Sequence, residues 1–125
     1  MIILDLTVIL DAPSPAQLGS NVELSCNWGQ DLKQKQVIWY KGTDHASILW
    51  TFKEGVNGTH LENQASENFV TRLKPVNQTD YKIQHKILIL NVTDFDQEVY
   101  WCEVIAPGIT EHSPPFILDV VGKIL

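Results

Sequence analysis

The sequence predicts an all-β sandwich. Three observations point to it. Short β-branched and aromatic runs recur along the chain with turn residues between them, the spacing expected of a sandwich. Several runs alternate apolar and polar residues with period two, the mark of a half-buried strand. No segment of useful length carries a helical period, and there is no repeat or low-complexity tract.

Residues 3–11 open the chain as a strand with Leu4, Leu6 and Val8 on one face. Pro13 and Pro15 then break the ladder, because proline cannot donate to it. Leu18-Gly19-Ser20-Asn21 is a turn. Val22, Leu24 and Cys26 alternate with Glu23, Ser25 and Asn27, so the next strand is half-buried. Residues 29–36 form a polar loop. Residues 36–41 are a strand in which Val37 and Trp39 point inward and Ile38 and Tyr40 outward. Gly42-Thr43-Asp44 turns the chain into Ile48-Leu49-Trp50-Thr51-Phe52, whose residue types favour a strand. Continued alternation puts Ile48, Trp50 and Phe52 outward. A short strand is expected within the polar stretch 53–67. Residues 69–73 are the next strand, and residues 81–90 another, with Ile87 and Ile89 inward. Residues 93–96 make a corner. A strand over 98–105 follows, with Val99, Trp101 and Glu103 outward. Residues 106–113 are a loop, and Pro114-Pro115 leads to a last strand where Phe116, Leu118 and Val120 alternate with Ile117, Asp119 and Val121.

Length and composition suit one domain, residues 1–121, with a tail, 122–125, leading toward a following domain or stalk. With 44% hydrophobic and 19% charged residues the chain is ordinary for a folded domain. A formal charge of −6, a single arginine (Arg72) and no basic run argue against nucleic acid or an anionic membrane as partner. Membrane attachment would come only through parts outside this chain. Cys26 and Cys102, the two cysteines, are too far apart for a redox CxxC or a zinc knuckle. They are buried thiols or one long-range disulfide, which would contribute roughly 4–5 kcal/mol in the chain-entropy model. Asn57-Gly58-Thr59, Asn77-Gln78-Thr79 and Asn91-Val92-Thr93 are three glycosylation sequons and favour an oxidising, extracellular setting. Residues 1–10 are read as strand and not as a leader: Asp5 interrupts them, no basic segment precedes them, and no small-residue cleavage site follows. Any leader is expected to have been removed already.

Trp39 lies between the two cysteines, and Tyr100 stands two residues before the second. On this Cys26…Trp39…Tyr100-x-Cys102 pattern the chain resembles a variable-type (V-set) domain of the immunoglobulin superfamily, from about Leu4 to Val121. The resemblance implies two antiparallel sheets in Greek-key connection, with a Cys26–Cys102 disulfide between them and Trp39 packed on it. It implies a tyrosine corner in which the Tyr100 hydroxyl bonds backbone near Asp96, and an ion pair between Asp96 and Arg72. These residues hold the fold and carry no function of their own.

Nothing suggests catalysis or a cofactor. His45, His60, His85 and His112 are scattered without metal-ligand spacing and are expected on the surface. No nucleophile motif surrounds any serine, and Glu98 and Glu103 look like solvated strand positions. Sialic-acid-binding V-set lectins carry an arginine on the strand of Cys102, which this chain lacks. Phosphatidylserine-binding members carry extra cysteines and a metal pocket, also absent. Antigen-receptor variable domains follow the Trp-Tyr with glutamine and open the last strand with Phe-Gly-X-Gly; here Lys41-Gly42 and Pro114-Pro115-Phe116-Ile117 stand instead.

Function then rests on a surface. The outward residues Ile38, Tyr40, Ile48, Trp50, Phe52, Val99, Trp101, Glu103, Ile117 and Asp119 should share one sheet face, apolar and aromatic enough to mark a contact site. The resemblance implies the ectodomain of a single-pass plasma-membrane receptor for cell–cell recognition or adhesion. Its expected partner is another immunoglobulin-like domain, self or related, with a homodimer as one form. Two alternatives stand beside it. One is a heterophilic immune receptor using the loops at 29–36 and 106–113; the other is a secreted glycan-binding module.

Overall fold

The computed structural model describes residues 6–43, 48–55, 58–63, 67–76 and 82–122. Along β3 (Val22–Asn27) the residues Val22, Leu24 and Cys26 are buried while Glu23 is exposed. That alternation seats β3 in a four-stranded sheet. Its order is β1 (Ile9–Asp11), β3, β8 (Gln84–Ile89) and β7 (Leu73–Pro75). Leu6, Val8 and Leu10 are buried on the way into and along β1; Leu4 lies outside the described residues.

The facing sheet has six strands. At its centre is β4 (Gln36–Lys41), between β9 (Glu98–Ala106) and β5 (Ile48–Gly55). Beyond β5 lies β6 (Gly58–Asn63), and β10 (Ile109–His112) and β11 (Phe116–Leu118) both pair with the other side of β9. All these pairings are antiparallel. After Pro13 and Pro15 the chain crosses over, and β2 (Ala16–Gln17) pairs in parallel with β12 (Val120–Val121).

The Cys26–Cys102 disulfide joins β3 to β9, one strand from each sheet. Trp39, Phe52, Ile87, Ile89 and Tyr100 fill the space around it, all at 0% exposure. At one end of the sandwich Arg72 donates two hydrogen bonds to the Asp96 carboxylate, each 2.8 Å. The Tyr100 hydroxyl donates to the Asp96 carbonyl at 2.7 Å, and the Thr93 N–H to Asp96 Oδ2 at 2.8 Å. Burial raises the Tyr100 pKa, with Asp96 next in effect, so the phenol stays protonated as a donor. The hydrogen bond to Asp96 raises the Arg72 pKa.

Several expectations need correction. Residues 69–73 are not one strand: a single helical turn, α1 (Glu67–Val70), comes first, and β7 starts at Leu73. Phe69 is buried there with the Lys41 ammonium 4.5 Å and the Arg72 guanidinium 4.9 Å from its ring centroid. The stretch 106–113 is not an open loop. Ala106 pairs with Ile109, and Pro107 and Gly108 turn the chain tightly into β10. Proline presets the first φ and Gly108 takes φ 82°, which side chains rarely adopt.

Trp50 and Phe52 face inward, not outward. Trp39 pairs with Trp50 but Tyr40 pairs with Ile48, so Leu49 is an extra residue in a β-bulge. Trp50 therefore shares the inward side of Trp39, and Phe52 that of Val37. Nor is every histidine on the surface. His85 is buried on β8, where its Nδ1 accepts from Trp39 Nε1 at 2.9 Å and its ring lies 4.6 Å from Phe52. His112 is exposed; His45 and the side chain of His60 lie outside the described residues.

Candidate recognition surface

The bulge narrows the outer face of the six-stranded sheet. Directly opposed residues on antiparallel strands share a side. Ile38 pairs with Glu103, Tyr40 with Trp101, and Val99 with Ile117. These six share the outer face, with Ile48 beside Tyr40 and Thr51 beside Ile38.

The centre is an aromatic stack. The Tyr40 and Trp101 rings lie 4.0 Å apart at 11°. Trp101 Nε1 donates to the Gly42 carbonyl at 3.0 Å, and the His112 ring meets the indole edge-on at 5.7 Å. The Tyr40 hydroxyl donates to Glu103 Oε1 at 3.0 Å. Burial and then this carboxylate push the Tyr40 pKa up to about 12. Trp101 belongs to the outer face as expected, but it is only 7% exposed. β10 and the segment after it cover it: the Ser113 N–H donates to the Cys102 carbonyl, and Ser113 Oγ accepts from the Cys102 N–H.

Trp101 is thus a pillar of the face. Phe/Trp→Ala at a buried site costs about 3–5 kcal/mol, and Trp101→Ala should cost about 3 kcal/mol in urea unfolding at pH 7. Trp101→Phe keeps a ring on Tyr40 and gives up one hydrogen bond, about 1 kcal/mol. If the alanine variant unfolds with the wild-type midpoint, the stack is not structural.

A cleft of about 300 Å³ opens beside the stack. Trp101, Val99, His112, Ser113 and Pro115 line it with Gly42 and Thr43. Ile117 stands next to it on β11, 63% exposed. Ile38, Ile48, Val99 and Glu103 are partly exposed, and Asp119 is exposed beyond Ile117. Trp50 and Phe52 leave the set; Trp50 packs in the core with its Nε1 unpartnered among the described residues.

Two buried residues went unnamed in the sequence. Trp28 Nε1 donates to the Lys82 carbonyl at 2.8 Å. Lys35, 1% exposed, sits 5.8 Å from the Trp28 ring centroid and bonds Glu54 Oε2 and the Leu32 carbonyl. They pin the loop between β3 and β4. Alternation could have found both, since Trp28 follows Cys26 by two and Lys35 precedes Val37 by two.

Asn91 is exposed at φ 51°, at the end of β8 in the other sheet. Asn57 and Asn77 lie outside the described residues. Among the described residues no three His, Cys, Asp or Glu side chains are grouped to hold a metal ion.

A family model, the immunoglobulin V-set domain, matches residues 11–121. The chain belongs to the immunoglobulin V-set family. V-set domains are non-catalytic recognition modules, and this one is an all-β sandwich with its inter-sheet disulfide in place. Its frame is that of an extracellular binding domain. No helix among the described residues is long and apolar enough to cross a membrane.

Proposed function

We propose that this V-set domain is the recognition ectodomain of a single-pass plasma-membrane receptor. It binds through the outer face of β4, β9 and β11, and its partner is a second copy of itself or a closely related immunoglobulin-like domain. One observation carries the reading: a cleft lined by Trp101 and free of Asp, Glu, Lys and Arg, with an exposed isoleucine beside it, on a face with no sequon on β4, β9 or β11. Apolar patches rimmed by polar groups mark interaction sites. A glycan on Asn91 would stand on the opposite sheet and leave this face open.

A standard interface takes about 800 Å² from each partner, about a tenth of the 7592 Å² that this chain exposes. The exposed Pro107–Gly108 turn supports a second reading, a different protein bound at the hairpin tip. A glycan-binding module has no comparable feature in its favour.

Bead aggregation separates these readings. Beads displaying the wild-type domain should cluster. The pair Glu103→Asn and Ile105→Thr, which writes a glycan acceptor onto the outer face, should abolish clustering; Pro107→Asn in the turn should not. If wild-type beads stay dispersed, the homophilic reading fails. Clustering that survives the face glycan but not the turn replacement moves the site to the hairpin.

A further inference from the structure

We propose that self-recognition works by a reciprocal knob and hole, with Ile117 of each copy entering the cleft of the other. This rests on the homophilic reading above and names its central contact. Three observations point to a second copy as the occupant.

The first is placement. Val99 lines the cleft and is the direct cross-strand partner of Ile117. Pro115, two residues before Ile117, lines it too. Two strand residues span about 7 Å, so knob and hole lie side by side on one face. A two-fold interface requires that arrangement, because residue i of one copy meets j of the other while j meets i.

The second is supply. Large apolar side chains exposed on the described surface are Ile9, Leu18, Val70, Ile83, Phe95, Ile117 and Val121. Only Ile117 belongs to the outer face of the six-stranded sheet. The cleft, about 300 Å³, lies at the bottom of the range of ligand pockets, about 300–1,000 Å³. It accommodates a branched aliphatic side chain.

The third is charge. Each copy carries −6, so two copies repel except where contact avoids carboxylates. The cleft lining has no Asp, Glu, Lys or Arg. Of the carboxylates on this face, Glu103 already accepts from Tyr40, and Asp119, exposed beyond Ile117, lies outside the cleft lining.

The test is sedimentation velocity over a concentration series at physiological salt, with thermal melts as the fold control. Ile117→Asp should weaken the wild-type dimer by about thirtyfold or more, the scale of a hot-spot loss. Val99→Phe, which fills the hole, should do the same. Ile117→Lys serves as second knob variant should the aspartate melt early. The deciding sample is an equimolar mixture of Ile117→Ala and Val99→Phe. There the intact isoleucine meets an open cleft and the alanine faces the filled one. Heterodimer should form where neither variant alone dimerises. A wild-type dimer that tolerates Ile117→Asp and Val99→Phe, or a mixture without rescue, overturns the knob and hole and leaves self-recognition standing. A wild type that stays monomeric at every concentration overturns both.

Discussion

Arg72→Ala is expected to lower the unfolding free energy by about 3–5 kcal/mol, the cost of stripping the partner from a buried charge. Asp96 is 0% exposed and, among the described residues, keeps the Thr93 N–H as the one donor to its carboxylate once the guanidinium is gone. Asp96→Ala should cost less, about 2–3 kcal/mol. Arg72 has 19% of its side chain exposed and still donates to the Leu90 and Asn91 carbonyls. The double variant should sit close to Asp96→Ala rather than at the sum, since residues in one network couple by about 0.5–3 kcal/mol. Arg72→Lys should recover little, because an ammonium cannot reproduce the paired 2.8 Å contacts. Urea unfolding followed by tryptophan fluorescence at pH 7 reads all four. Equal losses for the two single variants, or strict additivity, would show that the pair is not the unit argued here.

That corner was legible because it depends on identities at fixed places: Asp96 before Tyr100-x-Cys102, and a lone arginine for it to meet. The strands were legible where period two held without interruption, as in β3 and β8. The outer face was legible only in part. Alternation was extended through residues 48–52 by counting, and counting has no knowledge of a bulge. One extra residue, Leu49, sends Trp50 and Phe52 into the core and takes two of the largest side chains off the expected binding face. Trp101 shows a different limit. Its side was right, but its cover comes from β10, and a run ending in Thr110-Glu111-His112 gives no alternation of apolar and polar residues to mark it as a strand. The helical turn at Glu67–Val70 is too short to show a period. On the function proposed here, the expected binding face narrows to the cleft and Ile117.

His85 was misplaced for a different reason. Period two puts Ile87 and Ile89 inward and therefore puts His85 inward as well; only the habit of assigning histidine to the surface hid it. Its position sets the second large prediction. Burial lowers the His85 pKa from 6.5 to about 3. Accepting from Trp39 Nε1 requires an unprotonated Nδ1, so protonation would cost both desolvation and that hydrogen bond. Between these two values the unfolded chain binds a proton that the folded chain does not. The contribution is complete above pH 6.5 and is lost as the pH falls toward 3. Integrated from pH 7 to pH 4, the loss is about 3 kcal/mol. His85→Gln keeps an acceptor for Trp39 without a titrating group. The variant should be less stable than wild type at pH 7, because glutamine fills the space beside Phe52 poorly. Its stability should nonetheless fall less steeply with acid, so that the two curves converge or cross below pH 5. Urea midpoints measured at half-unit steps from pH 7 to pH 4 decide it. Parallel curves would mean that the acid sensitivity of this domain lies in its carboxylates and not in the histidine behind Trp39.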